Sequence, residues 1–412
     1  MRLVELSPME FYNYSFNHLY SSFYQTYEYG LFMQEFGFEY NLLGLKDNYG
    51  QIVAASLIVI NKLDNKKSFG YAPRGFLIDY SNAELLKEFA DALKNYYKNK
   101  KVVFIKTNPN INIAIYDKYN NRFMYNYNTQ LIDCIRKAKY QELKKVKNFE
   151  ALIPTYSPII NLREFAYNRL DKNVRNKIRK CYRKGLIIEK GGHDDIKEFY
   201  PYLKNKTKKS LKYYQMLFQA FKKRKMVDVF LIKVNFEEYL INTKDKYQKA
   251  LEVNNILNRM MQIKPTEKIF KRKIQSDREL DILKKEVYFA TNGLSKGKTK
   301  LIAGAIVLKY KNKATIYASG YNFKYRSLNP NDFMYYKLIE YYKYNLDYLD
   351  LDGFSGDLSS DNKYKGLNEF KMGFNPEIFE DIGEYDVVLD NKVYKKIAGD
   401  GTLAELFYNL KQ

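Results

Sequence analysis

The chain has 412 residues, of which 46% are hydrophobic and 28% charged, and carries a formal net charge of +23 at pH 7. Those fractions exclude a disordered chain and predict two or three globular domains, while the longest apolar run, Ile52 to Ile60, falls well short of the roughly 20 residues that span a bilayer. Two isolated cysteines, Cys134 and Cys181, support neither a disulfide framework nor a zinc site, so the expectation is a cytoplasmic protein with buried or incidental thiols.

Positive charge of this size points to a polyanionic partner: nucleic acid, a pyrophosphate-bearing substrate or an anionic membrane face. The composition is also rich in Lys, Asn, Ile and Tyr, as AT-rich codons would make it, so charge is informative only where it clusters. It clusters at Arg175 to Lys184, Lys204 to Lys212 and Lys222 to Lys225.

In chain order, the run Ile52 to Ile60, a charged turn through Asn65 and Lys67, and Phe69-Gly70-Tyr71 predict a β-hairpin. Leu85, Phe89, Ala92, Leu93 and Tyr96 recur at helical spacing after a candidate N-cap, Asn82, and Val102 to Ile105 then reads as a buried strand ending at Asn108-Pro109. From Phe236 to Ala290 the pattern changes. Ala250, Val253, Leu257 and Met260, then Leu280, Leu283 and Val287 beyond Lys264-Pro265-Thr266, alternate spacings of three and four, which predicts an antiparallel helical hairpin. The second half then repeats the first: Leu301 to Leu308, a turn at Lys311-Asn312-Lys313, Thr315 to Tyr317, a helix from Asn331 to Tyr344 and a strand from Tyr348.

A hairpin requires antiparallel pairing and the helix permits a parallel crossover, so the fold class is α/β (α+β), with two acetyltransferase-like domains of mixed sheet and a coiled-coil arm. The expected domains are 1–152, then 153–234 with 291–412, whose extreme end docks on the first, and an arm over 235–290. No Gly-rich loop for coenzyme A is present, which favours another acyl donor. The closing Phe370-Lys371-Met372-Gly373-Phe374 sets one lysine between aromatics as a candidate anion binder. His18 and His193 have no neighbouring nucleophile or carboxylate that would suggest a triad.

Gln25-Thr26 with Tyr29-Gly30, Tyr71-Ala72-Pro73-Arg74-Gly75, the basic helix from Arg175, Tyr317-Ala318-Ser319, Asp350 to Gly353 and the Phe370-Lys371 element with Gly383-Glu384 stand in an order that resembles the FemABX peptidyltransferases. The resemblance implies transfer of an amino acid from aminoacyl-tRNA to the stem-peptide amine of a lipid-linked peptidoglycan precursor, with no metal or cofactor and with peripheral contact at the inner membrane face. It also implies roles for residues. Lys371 would meet the tRNA end or the developing oxyanion, and Phe370 would stack on a base or ribose. Thr207, Lys209 and Tyr213 would hold the precursor's phosphates and sugar, with Lys209 where the family has Arg; a lysine neutralises a phosphate but cannot grip it bidentately. Arg74, Tyr317 and Glu384 complete the substrate-binding set, Arg74 as a substrate contact or as the brace of its own turn. Met33 falls near where some members place a lysine, and Asn108 where they commonly have Asp, which removes the obvious general base: either Glu384 serves, or the proton passes through the tRNA ribose hydroxyl, the route favoured because Glu384 is equally a salt-bridge partner. Two other readings share these residues: an acyl transferase for a different acceptor, and a non-catalytic tRNA-binding protein.

Overall fold

A computed structural model describes residues 1–117, 122–125, 128–204 and 208–399, with only the backbone for 122–125. Ile52–Lys62 folds back antiparallel onto Ser68–Ala72, the helix Ala83–Tyr97 crosses over, and Val102–Thr107 returns parallel to Ser68–Ala72. Asn82 starts the crossover helix as its spacing predicts, its Oδ1 accepting the Leu85 N–H at 2.9 Å. In the second half Thr299–Tyr310 pairs antiparallel with Lys313–Tyr321, Pro330–Tyr342 crosses over, and Tyr348–Asp350 runs parallel to Lys313–Tyr321. The repeat legible in the sequence is therefore a repeat of topology.

Among the described residues two mixed sheets form, of eight and nine strands, and they exchange segments. Asn112–Tyr116 and Arg122–Tyr125 extend the second sheet beside Glu377–Asp381, whereas Tyr385–Val388 returns to the first sheet between Val102–Thr107 and Gln141–Glu142. No single cut at residue 152 separates the sheets. The returning strand is held by Lys106, whose fully buried ammonium lies 3.3 Å from Glu384 and 3.6 Å from Asp386. Tyr394, on the following helix Asn391–Gly399, donates to Asp386 at 2.7 Å and packs on Phe104.

Each sheet has its own apolar core, and a third cluster joins the halves by packing Phe11, Phe23, Phe32 and Leu57 with Phe199, Leu217, Phe221 and Ile306. Burial of large side chains from both halves in one cluster fixes their relative placement.

Phe236–Ile263 and Glu267–Leu294 lie against each other and turn at Lys264 to Thr266, with Thr266 capping the second helix by accepting the Ile269 N–H at 3.3 Å. The seam differs from the predicted one. Leu257 and Leu283 are buried as expected, but Asn254 rather than Val253 faces inward, donating to Ser276 at 3.0 Å and Asp277 at 2.8 Å. A buried amide with partners only in one alignment sets the register of two helices. Val253 and Met260, expected in the seam, are consequently turned out to solvent.

Candidate active site

The second parallel pair ends where Thr315 meets Asp350, and past that point the strands part. The gap opens into a cavity of about 760 Å³ lined from both halves of the chain, including Tyr24, Arg74, Lys209, Tyr317, Asp352 and Asp381. A site beyond the carboxyl ends of parallel strands is the usual place for ligands in α/β sheets. Tyr317 reaches the cavity because of an irregularity in its strand. The register steps from Ile306↔Ala318 to Val307↔Ile316, so Tyr317 is the extra residue of a β-bulge, a device that re-aims a side chain.

Tyr317 meets two of the residues expected to bind the precursor. Ser210 caps the helix Leu211–Lys222 by accepting the Tyr213 N–H at 3.2 Å, which places Tyr213 in the first turn beside Lys209. The Lys209 ammonium donates to the Tyr213 hydroxyl at 2.7 Å and to that of Tyr317 at 3.5 Å, and the two phenols are hydrogen-bonded to each other. Burial pushes both phenols well above the ordinary tyrosine range, so they stay neutral donors. Met33 belongs to the apolar cluster behind Tyr213, where Phe32 packs edge-on at 5.0 Å. Thr207 lies outside the described residues.

Three carboxylates, Asp350, Asp352 and Asp381, line the same cavity, and the sequence motifs single out none of them as a site residue. Asp381 is paired with Arg74 across the two halves, and the side chains keep only 9% and 11% of their exposure. Burial still holds the Asp381 carboxyl above its ordinary range, with Arg74 opposing the shift. Asp350 faces Lys313 at 3.4 Å and accepts the Asp352 N–H at 2.9 Å, which supports Asp352 in a left-handed conformation, φ +62°. Among the described residues Asp352 makes no ion pair within 4 Å. Desolvation by the surrounding protein raises its carboxyl above the ordinary range, with Lys371 opposing and Asp350 adding, although the residue as a whole is exposed at the cavity. A signal is present in the sequence: Asp350-Leu351-Asp352-Gly353 leaves the end of a parallel strand.

Lys371 and Phe370 do not line the cavity. On the helix Lys365–Met372 the lysine is 4% exposed and its ammonium donates to the carbonyls of Asp352 and Gly353. Phe370 packs edge-on against Tyr335 at 5.0 Å and Phe374 at 5.4 Å. A Cβ at Gly353 would sit 2.6 Å from the Phe149 ring, so a larger residue there would require that ring to move. Lys371→Met is expected to cost about 2–6 kcal/mol in urea denaturation, because two buried carbonyls would each lose a donor at roughly 1–3 kcal/mol. A variant as stable as the parent would show that the turn does not depend on the ammonium.

Glu384 lies away from the cavity, its Oε1 accepting the Leu152 N–H at 2.9 Å and its Oε2 facing Lys106. Asn108 serves the backbone, since its Oδ1 accepts the N–H of Arg74 at 2.9 Å and so supports that residue's left-handed φ of +53°. Gln25, fully buried, braces the same bend by donating to Pro73 O at 2.9 Å and Leu57 O at 3.2 Å. His18 is pushed down to about 4, by burial first and by Lys311 second, so it is neutral at pH 7 and its Nδ1 accepts the Tyr20 N–H at 3.2 Å. Cys181 is buried and its thiol is pushed up to about 12, mainly by burial, which makes it unreactive.

Residues 6–399 match the model of the FemAB family. An "Aminoacyltransferase FemA" of Staphylococcus epidermidis (strain ATCC 35984) is 23% identical over 412 residues, covering 96% of this chain and 97% of that protein. The protein of the same name from Staphylococcus aureus (strain MRSA252) is 22% identical over 417 residues, with the same coverage. Among solved structures, a crystal structure of FemX superposes with a TM-score of 0.75 at 17% identity, covering 96% of this chain and all of that one.

Proposed function

The chain belongs to the FemAB family and is an aminoacyltransferase, and from that premise we propose that it moves an amino acid from aminoacyl-tRNA to the stem-peptide amine of a lipid-linked peptidoglycan precursor, extending an interpeptide bridge. The observation that carries this reading is the cavity between the halves. It sets Asp352, a carboxylate with no ion pair among the described residues, in the same wall system as the Lys209–Tyr213–Tyr317 cluster.

In the proposed reaction the acceptor nitrogen attacks the ester carbonyl. A C–N bond forms, the C–O bond to the ribose breaks, and the proton shed by the nitrogen ends on the ribose hydroxyl. The amine arrives as an ammonium ion at neutral pH, so one further proton must first go to a base. Asp352 holds that ammonium and receives its proton. Lys209 and the two phenols bind the precursor's phosphates, as does Thr207, two positions before Lys209 in the chain. Lys371 acts as a positioning residue: by tying down the Asp352 and Gly353 carbonyls it fixes the direction of the Asp352 side chain. Arg74 keeps Asp381 paired, leaving Asp352 as the carboxylate that meets the amine.

The test is incubation of the protein with a full set of charged tRNAs and lipid II, followed by mass spectrometry of the stem peptide. A gain equal to one amino-acid residue with one class of charged tRNA is expected. Unchanged lipid II in every arm, with the protein folded and tRNA bound, would overturn the acceptor.

A further inference from the structure

The register set by Asn254 leaves apolar side chains without partners at the far end of the helical hairpin. Ile256 is 56% exposed, Met260 42%, Ile263 84%, Phe270 53% and Ile274 38%. Single exposed apolar residues are ordinary, but five within about the last two turns of the first helix and the first two of the second form a concentrated feature. The same stretch, residues 256–274, holds Arg259, Lys264, Lys268, Lys271, Arg272 and Lys273 against one carboxylate, Glu267, so its formal charge is six minus one, or +5. Near the other end the hairpin is anchored to the body: Asn242 donates to the Arg183 carbonyl at 3.1 Å, and Glu286 pairs with Lys184 at 3.0 Å and Arg183 at 3.3 Å. Ile263 follows Asn242 by 21 residues of helix, roughly 30 Å at 1.5 Å per residue.

We propose that the tip of this hairpin, Met260 to Ile274, docks on an anionic lipid bilayer, with Ile263 and Phe270 entering the boundary between headgroups and acyl chains and the surrounding lysines and arginines on the lipid charge. Charge complementarity selects this occupant. A second copy of the chain would bring +5 against +5. A nucleic acid would satisfy the cations but offers nothing to aliphatic side chains such as Ile263 and Ile256, whereas a bilayer surface satisfies both kinds of group at the same depth. The inference is independent of the acceptor's chemistry, because it concerns a surface far along the hairpin from the cavity and is tested without turnover.

The experiment is co-sedimentation of the full chain with vesicles of phosphatidylcholine alone and of phosphatidylcholine mixed with phosphatidylglycerol, at physiological salt. The parent is expected to bind the mixed vesicles. Ile263→Ser with Phe270→Ser, which leaves charge unchanged, should lower that partitioning by about 10-fold or more, since apolar insertion contributes apart from charge. Ile241→Ser, at a 63% exposed site near the anchored end, should leave it unchanged. Both tip positions face solvent, so the double variant retains the fold, and circular dichroism verifies this; Ile263→Ser alone gives the same reading in smaller degree. Equal partitioning of parent and double variant would overturn the proposal. So would a parent dimer in sedimentation equilibrium that the tip substitutions dissolve, or a loss of tRNA retardation in the double variant while vesicle binding persists.

Discussion

Asp352→Asn is expected to fold as the parent does and to turn over about 10²-fold more slowly or worse, the usual loss when a positioned proton acceptor is removed. An amide keeps the shape of the side chain and the support from Asp350, but it neither attracts an ammonium nor takes a proton. The loss should fall mainly on kcat, with the KM for charged tRNA little changed, because the donor is held by other groups. The pH profile provides a second reading. The Asp352 carboxyl titrates above the ordinary aspartate range, so parent activity should fall as pH drops through that raised value, and the acid limb should flatten in the variant. Wild-type turnover by Asp352→Asn would return the proton to the substrates' own ribose hydroxyl, the route favoured by Asn108 in place of a carboxylate.

Arg74→Met should be among the most destabilising single changes in the chain, at about 3–5 kcal/mol near neutral pH, because it strands Asp381 as a buried charge without a partner. The sign with pH follows. Asp381 already has a raised folded pKa, and losing Arg74 removes a group that lowers it, so the variant's folded state takes up a proton more readily than its unfolded state. The deficit should therefore be largest above that raised pKa and shrink as pH falls through it. Arg74→Met with Asp381→Asn should recover a large part of the stability, since no charge is then left buried. Urea titrations of the three variants at two pH values measure all of this. A deficit below about 1 kcal/mol for Arg74→Met, the range of a solvent-screened pair, would show that the two halves are not joined through this contact.

These two expectations concern residues of different legibility. Arg74 is visible in the sequence as part of a Pro-Arg-Gly bend, but its side chain lines the cavity and pairs with Asp381 of the other half, while Asn108 and Gln25 hold the bend itself. Asp352 is visible there only as one letter of Asp350 to Gly353. Lys371 is the most conspicuous residue of the closing motif, yet it is turned to backbone carbonyls, because the helix Lys365–Met372 packs Phe370, and the residues after it Phe374, against Tyr335, and the remaining face directs the lysine at the turn. Lys209 and Tyr213 are expected together from the family resemblance, and Tyr317 joins them across 104 residues through the bulge at Val307.

By itself the amino-acid sequence determined what depends on neighbours along the chain. The two hairpin, helix and strand units, the Asn82 cap and the paired helices beyond Asn235 follow from period, cap and turn chemistry acting over a few residues. The tertiary structure alone decided which strands exchange sheets, which of Val253 and Asn254 enters the hairpin seam, and that Arg74 meets Asp381, 307 positions away, while Asp352 is left without an ion pair among the described residues. Those outcomes depend on burying both halves in one core and giving each buried polar group a partner, and such a balance is struck over the whole molecule rather than within any stretch of it.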